Sequence, residues 1–156
     1  MTNVLIVEDE PIFQDMALYG IAEAVWDEDW DIFERSTLYE IERFQIQVVS
    51  CMRDAWEYLK ENTNGKLITI LDGYFPPIKW WDKVQMYWKY LNRLEELRGG
   101  QENFLTPYSS SKNTNLDMIQ RFSDTHKILR SEVEPQQEKS QEAIKQWFEW
   151  YLANHC

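Results

Sequence analysis

The sequence is poor in the residues that build disulfide frameworks, metal clusters and phosphate-binding loops. Its 156 residues include two cysteines, two histidines, five glycines and five prolines. Cys51 and Cys156 form no ligand-spacing motif, so we expect two reduced thiols, as in a cytoplasmic protein. No glycine-rich phosphate loop or nucleophile elbow occurs, and His126 and His155 are isolated. No apolar run reaches the length of a membrane span, and no signal peptide precedes the first strand, which again predicts a cytoplasmic chain.

Negative charge is concentrated near the start of the chain. The formal net charge is −11, and residues 1–44 carry twelve acidic and two basic side chains, a net charge of −10. A surface of this kind repels nucleic acid and anionic membranes, so we expect neither as a partner. A cation and a basic protein partner are both compatible with it.

Two short apolar runs each end on carboxylates. Val4–Val7 leads into Glu8 and Asp9, and Leu67–Leu71 leads into Asp72. Both runs are too short for helices and rich in β-branched residues, which predicts parallel strands buried on both faces. Because the carboxyl ends of parallel strands meet at one edge, the three carboxylates should converge and repel one another unless a cation joins them. Hard oxygen ligands in small number suit Mg²⁺; the plainer alternative is three solvated carboxylates.

The remaining pattern alternates strands with helices. It predicts one domain over residues 1–156, a flavodoxin-like doubly wound α/β fold with a five-stranded parallel sheet of order 2-1-3-4-5 and helices on both faces. An acidic insertion at about 27–44 is either partly helical or a loose loop. Further strands are predicted at Gln45–Ser50, Asn103–Thr106 and Lys127–Arg130, and helices from Pro11, over Arg53–Glu61, at about 79–98, over Leu116–Phe122 and over Gln136–Leu152.

The strand ends carry a resemblance to a known family. The segment Val-Leu-Ile-Val-Glu-Asp-Glu-Pro at 4–11 resembles the opening of two-component response-regulator receiver domains. Ile-Leu-Asp-Gly-Tyr-Phe-Pro at 70–76 is similar to their phosphoacceptor strand, and residues 44–59 to their second strand and helix. The resemblance implies that Glu8 and Asp9 are the acidic Mg²⁺ pair and that Asp72 is the phosphorylated residue. The backbone carbonyl of Tyr74 would complete the protein ligands.

Receivers also place a hydroxyl after the fourth strand and a lysine after the fifth, both touching phosphoryl oxygens. Thr106 resembles the hydroxyl position, with Ser109 as the alternative register; a turn-forming Ser/Thr cluster is the structural alternative. The expected Lys-Pro pair is absent from residues 126–135. Arg130 occupies the approximate place of the lysine, while Lys127 would fall inside the strand. The sequence therefore predicts Arg130 as the replacement.

Three functions remain open. The first is a stand-alone receiver that takes phosphate from a histidine kinase or phosphotransfer protein and signals to a protein effector. The second is a pseudo-receiver that acts through protein contacts alone, without phosphorylation. The third is a hydrolase of the haloacid-dehalogenase type, which is disfavoured because Tyr74 stands where such enzymes need a second carboxylate; we therefore expect no enzyme. The many tryptophans also suggest a partner or homodimer surface on the final or the long third helix.

Overall fold

The computed structural model describes residues 1–26, 30–32, 34–125 and 139–155, and its centre is a five-stranded sheet. The described strands are β1 Thr2–Val7, β2 Leu38–Ile41, β3 Phe44–Val49, β4 Leu67–Leu71, β5 Tyr74–Phe75, β6 Val84–Gln85 and β7 Asn103–Pro107. The main sheet has the order β2-β3-β1-β4-β7; β3, β1, β4 and β7 run parallel, and β2 is antiparallel to β3. The flavodoxin-like α/β fold is thus confirmed, with the first four predicted strands in their predicted order.

Helices cover both faces of this sheet. They are α1 Pro11–Trp26, α2 Met52–Glu61, α3 Tyr87–Arg98, α4 Lys112–Thr125 and α5 Gln141–His155. One face of β1, with Val4 and Ile6, packs on α1 and α5. The other face, with Leu5 and Val7, packs on α2, α3 and α4. This two-sided burial explains why β1 and β4 read as continuous apolar runs. Among the described helices, none combines the length and apolarity that crossing a membrane requires.

Among the described residues, the fifth strand of the sheet lies in a segment that the sequence predicts to be an insertion. This strand is Leu38–Ile41, at the edge of the sheet next to β3. The predicted strand Lys127–Arg130 lies outside the described residues and stays a prediction. The prediction of a helix for these four residues is wrong, because they pair with β3 as an antiparallel strand. A tight turn in which Glu42 has φ 51° connects the two strands. Only Ile41 is buried, so the apolar pattern of this edge strand is weak.

The predicted long third helix is also corrected. The helix begins at Tyr87, not near residue 79, and residues 74–85 contain the separate β5–β6 hairpin. Trp81, Val84 and Trp88 have helical spacing, but their side chains are 63%, 44% and 42% exposed. Their helical spacing in the sequence therefore does not correspond to a buried helix face. Trp80 is 99% exposed and has φ 75°, a strained value for a bulky side chain.

The last helix packs very closely on the first. A Cβ at Gly20 in α1 would lie 2.8 Å from the Gln141 carbonyl oxygen and 2.8 Å from Ile144 Cβ. Glycine is therefore needed for this approach. Trp147 of α5 is buried in the same interface, and Trp150 packs against its edge. The aromatic residues of the final helix thus belong mainly to the core, and the partner or homodimer surface stays a prediction.

Candidate functional site

Three carboxylates meet at the carboxyl ends of β1 and β4. One oxygen of each of Glu8, Asp9 and Asp72 lies within 4.8 Å of the other two. The pairing of the two strands brings them together, since Val7 lies opposite Leu71 and the Asp72 N–H donates to the Val7 carbonyl at 3.0 Å. The acidic convergence expected from the strand ends is present.

Burial sets the electrostatics of this acidic cluster. Glu8 is fully buried and Asp72 is 4% exposed. Desolvation, followed by the negative charge of Asp72, raises the pKa of Glu8 to about 8. Desolvation likewise raises the pKa of Asp72 above its ordinary value, against the opposing effect of a nearby ammonium. Burial therefore favours the neutral form of both side chains.

That ammonium belongs to Lys139, which the sequence reading did not select. Its Nζ donates to Glu8 Oε2 at 2.6 Å and lies 3.2 Å from Asp72 Oδ2. It also lies 4.6 Å from the centre of the Phe13 ring and 5.7 Å from that of Tyr108. The side chain is only 6% exposed. Lys139 is thus a buried cation held by two carboxylates and two aromatic faces.

The start of α5 explains how Lys139 reaches the cluster. Ser140 caps the helix, because its Oγ accepts a hydrogen bond from the Ala143 N–H at 3.1 Å. Lys139 is the residue before that cap, and the close contact at Gly20 fixes the position of this end of the helix. The sequence prediction began the helix at Gln136 and so placed Lys139 inside it. The serine cap was the signal that could have revealed the lysine.

The two candidate hydroxyls occupy different positions. Thr106 is buried in β7 opposite Ile70 of β4. Ser109 is also buried, and its Oγ lies 3.3 Å from the position that a Cβ on Gly73 would take. Asn115 holds the Ser109 backbone through two hydrogen bonds of 2.9 Å. The structure therefore brings Ser109 next to the loop that follows the Asp72 carboxylate, and both hydroxyls remain candidates.

Two further predicted site residues are Tyr74 and Arg130. The Tyr74 N–H lies 3.5 Å from Asp72 Oδ1, and the Gly73 carbonyl accepts from the Met86 N–H at 3.1 Å. The hairpin thus holds the segment that carries the Tyr74 carbonyl beside the acidic cluster; its role as a ligand stays a prediction. Arg130 lies outside the described residues.

A second lysine approaches from the solvent side. Lys83 Nζ lies 3.3 Å from Asp9 Oδ2 and 3.0 Å from Glu10 Oε1, with 43% of its side chain exposed. A neighbouring cavity of about 350 Å³ is lined by Asp9, Ser50, Pro76, Lys79 and Trp80. The sequence does not indicate this contact, because its pattern predicts a helix at about 79–98, whereas the structure places Lys83 in the β5–β6 hairpin.

The donor set fits a hard divalent cation. Asp9 Oδ1 is buried and has no hydrogen-bond partner within the described protein, so it is a carboxylate oxygen with spare capacity. Glu8 and Asp72 supply further oxygens within 4.8 Å. Carboxylate oxygens are the ligands that Mg²⁺ prefers. Glu8, Asp9 and Asp72 are the residues that would hold such an ion.

Fold and site together define a doubly wound α/β protein with a buried acidic cluster at the carboxyl ends of β1 and β4. No protein-family model matches the chain, and no curated protein matches it. One similar solved structure is that of the RcsB response regulator of Salmonella typhimurium, which is described for its conformational dynamism for DNA interaction. The identity is 15% and the TM-score 0.42, covering 96% of this chain and 66% of the other. This chain thus spans just under two thirds of that protein, and the fold assignment rests on its own strand order.

Proposed function

We propose that the chain is a receiver domain that accepts a phosphoryl group on Asp72 in a Mg²⁺-dependent reaction and signals through a protein-contact surface. The observation that carries the proposal is the buried Lys139 ammonium, 3.2 Å from Asp72 Oδ2 inside the acidic cluster. The resemblance calls for a lysine at this place, and residues 126–135 lacked the expected pair. Lys139 replaces Arg130 as our candidate for that role.

The residues divide the chemistry between them. Glu8, Asp9 and Asp72 would hold Mg²⁺, which when bound would offset the carboxylate charges and orient the phosphodonor. An Asp72 carboxylate oxygen attacks phosphorus as the bond between phosphorus and the donor breaks. Lys139 offers its ammonium to the negative phosphoryl oxygens. The Ser109 or Thr106 hydroxyl donates a further hydrogen bond to them.

The proposed role is that of an acceptor and not of an enzyme with an external substrate. A histidine kinase or phosphotransfer protein would supply the phosphoryl group, and a protein effector, or a second copy of the chain, would read the modified surface. The cytoplasm is the compartment where such a relay operates. Tyr74 stands at the position where a phosphatase of the haloacid-dehalogenase type requires its second carboxylate. This substitution opposes the hydrolase alternative.

The decisive experiment is intact-mass spectrometry after incubation with acetyl phosphate, with and without Mg²⁺. We expect a Mg²⁺-dependent gain of one phosphoryl group in the native protein and none in Asp72→Asn. Labelling retained in Asp72→Asn would refute the assignment of the acceptor. No gain in the folded native protein would refute the receiver function itself.

A second candidate is a pseudo-receiver that acts without phosphorylation. It is favoured by one observation: Lys139 and Lys83 already place two ammonium groups against the carboxylates. Internal cations of this kind can satisfy an acidic cluster without a metal. A pseudo-receiver should gain no phosphoryl group, and Mg²⁺ should not raise its melting temperature. A receiver should melt at a higher temperature with Mg²⁺, because the ion binds the folded protein and not the unfolded chain.

A further inference from the structure

We propose that the Lys83 ammonium is a built-in competitor of the divalent cation at Asp9, so that cation binding releases the tip of the segment 76–86 from the acidic cluster. This inference rests on the proposed function, because it concerns the same cation position. It adds a competing residue, Lys83, and a moving element, the exposed tip from Ile78 to Trp81.

The competition follows from shared ligands. Lys83 Nζ lies 3.3 Å from Asp9 Oδ2, on the carboxylate whose other oxygen is buried and has no hydrogen-bond partner among the described residues. A divalent cation held by the Asp9 carboxylate would be the immediate neighbour of this ammonium, and two positive charges so close repel each other. Either the cation binds more weakly or Lys83 leaves.

Lys83 is able to leave, and Lys139 is not. The Lys83 side chain is 43% exposed, and its second partner, Glu10, is 42% exposed. Its ammonium can therefore move into water at small cost, since exposed ion pairs contribute little. Lys139 is 6% exposed and bonded to a fully buried carboxylate. Of these two lysines, only Lys83 can move its ammonium into water when a cation binds.

The segment that carries Lys83 is fixed at both ends by backbone hydrogen bonds, whereas Lys79, at its tip, makes a solvent-exposed ion pair with Asp54 at 3.5 Å. At one end, the Met52 N–H donates to the Pro76 carbonyl at 2.9 Å and the Arg53 N–H to the Pro77 carbonyl at 3.0 Å. At the other end, β6 pairs with β5. Trp80, at the tip, is 99% exposed. Release of Lys83 would therefore displace the exposed aromatic tip and leave its attachments in place.

By thermodynamic linkage, the coupling works in both directions. If cation binding favours the released tip, then a protein that binds the released tip must raise the affinity for the cation by the same factor. The aromatic tip, Ile78 to Trp81, would then be the surface that reports occupancy of the acidic site. Aromatic side chains are the residues that protein interfaces favour.

The test is a Mg²⁺ titration by calorimetry of the native protein, Lys83→Met and the matched control Lys79→Met. Lys79 lies in the same segment but pairs with Asp54 at 3.5 Å. We expect Lys83→Met to bind Mg²⁺ roughly 1.5- to 5-fold more tightly, the range set by one exposed ion pair. Lys79→Met should bind like the native protein.

A fluorescence readout separates release of the tip from a mere change in charge. Mg²⁺ should alter the tryptophan emission of the native protein, and the change should shrink in Trp80→Phe and in Lys83→Met, whose tip is already free. Equal Mg²⁺ affinities for native protein and Lys83→Met would overturn the competition alone. Absence of Mg²⁺ binding in both would overturn the proposed function together with it.

Discussion

Two lysines contact the same acidic cluster, and their surroundings are opposite. Lys139 is 6% exposed, bonds to a fully buried carboxylate and lies against two aromatic rings. Lys83 is 43% exposed and contacts the outer carboxylates Asp9 and Glu10. The same functional group is thus part of the core on one side of the cluster and part of the surface on the other.

This difference indicates which contact the fold depends on. Removing one partner of a buried ion pair leaves an uncompensated charge in a poorly solvated place and costs several kcal/mol. Removing one partner of an exposed pair leaves a charge that water solvates, so the cost is small. We infer that Lys139 stabilises the folded site, whereas Lys83 lowers the affinity of the site for a divalent cation. The following variants test that division.

Lys139→Met should have the largest effect on stability. Methionine keeps most of the apolar stem but removes the charge, which leaves Asp72 and Glu8 buried without a cation. We expect the free energy of unfolding to fall by roughly 3 kcal/mol at about pH 8.5, where Glu8 carries its charge. Urea denaturation measures the fall. Adding Glu8→Gln should restore part of it; a loss below about 1 kcal/mol would contradict the buried role.

Gly20→Ala should come next, because it displaces the helix that positions Lys139. The new Cβ would lie 2.8 Å from the Gln141 carbonyl oxygen, a backbone atom that cannot move aside alone. Overpacking of this kind costs roughly 1–3 kcal/mol. Gly100→Ala is the matched control, since a Cβ there meets no atom within 4 Å. Equal stability of the two variants in urea would show that the helix contact is not close.

Glu8→Gln should change the pH profile of stability. The folded protein keeps a proton on Glu8 up to about pH 8, whereas the unfolded chain loses it near the ordinary glutamate pKa of 4.5. Raising the pH through this window therefore favours unfolding, and the free energy of unfolding should decline across it. Denaturation in urea at a series of pH values, without Mg²⁺, should give a flatter decline for the variant. Identical profiles would show that Glu8 does not carry the proton.

Lys83→Met should have the smallest effect on stability. Because its ion pairs with Asp9 and Glu10 are solvated, the free energy of unfolding should change by less than about 1 kcal/mol. Thermal and urea denaturation without Mg²⁺ check this. A larger loss would place Lys83 with Lys139 as a structural residue and end the distinction between them.

The sequence predicted the elements whose residues are buried on both faces. Leu67–Leu71 is an apolar run interrupted by Thr69, and the structure places a strand with the same bounds there. The exposed elements were missed. Leu38–Ile41 forms an edge strand with one buried residue, and its pairing with β3, not its own pattern, makes it a strand. The hairpin was missed because Trp81, Val84 and Trp88 share a helical spacing without sharing a buried face.

The site was predictable as far as local sequence determines it. Glu8, Asp9 and Asp72 each follow a strand directly, so parallel pairing alone brings them together. Lys139 enters from the turn before α5, and its position depends on how that helix packs against Gly20. A tertiary contact of this kind leaves no trace in local spacing. The helix cap at Ser140 was the one local sign available.

The contact between Glu8 and Lys139 also has a consequence for the order in which the molecule acquires its structure. The two residues are 131 positions apart, and Tyr108 donates to the Phe13 carbonyl across 95 positions. Contacts between such distant parts of a chain form late, after the intervening segments have assembled. During synthesis, the carboxylates of the first strand would remain in water until α5 docks. Burial of Glu8 would then mark a completed fold, and a chain halted before residue 139 would keep its acidic edge open to solvent.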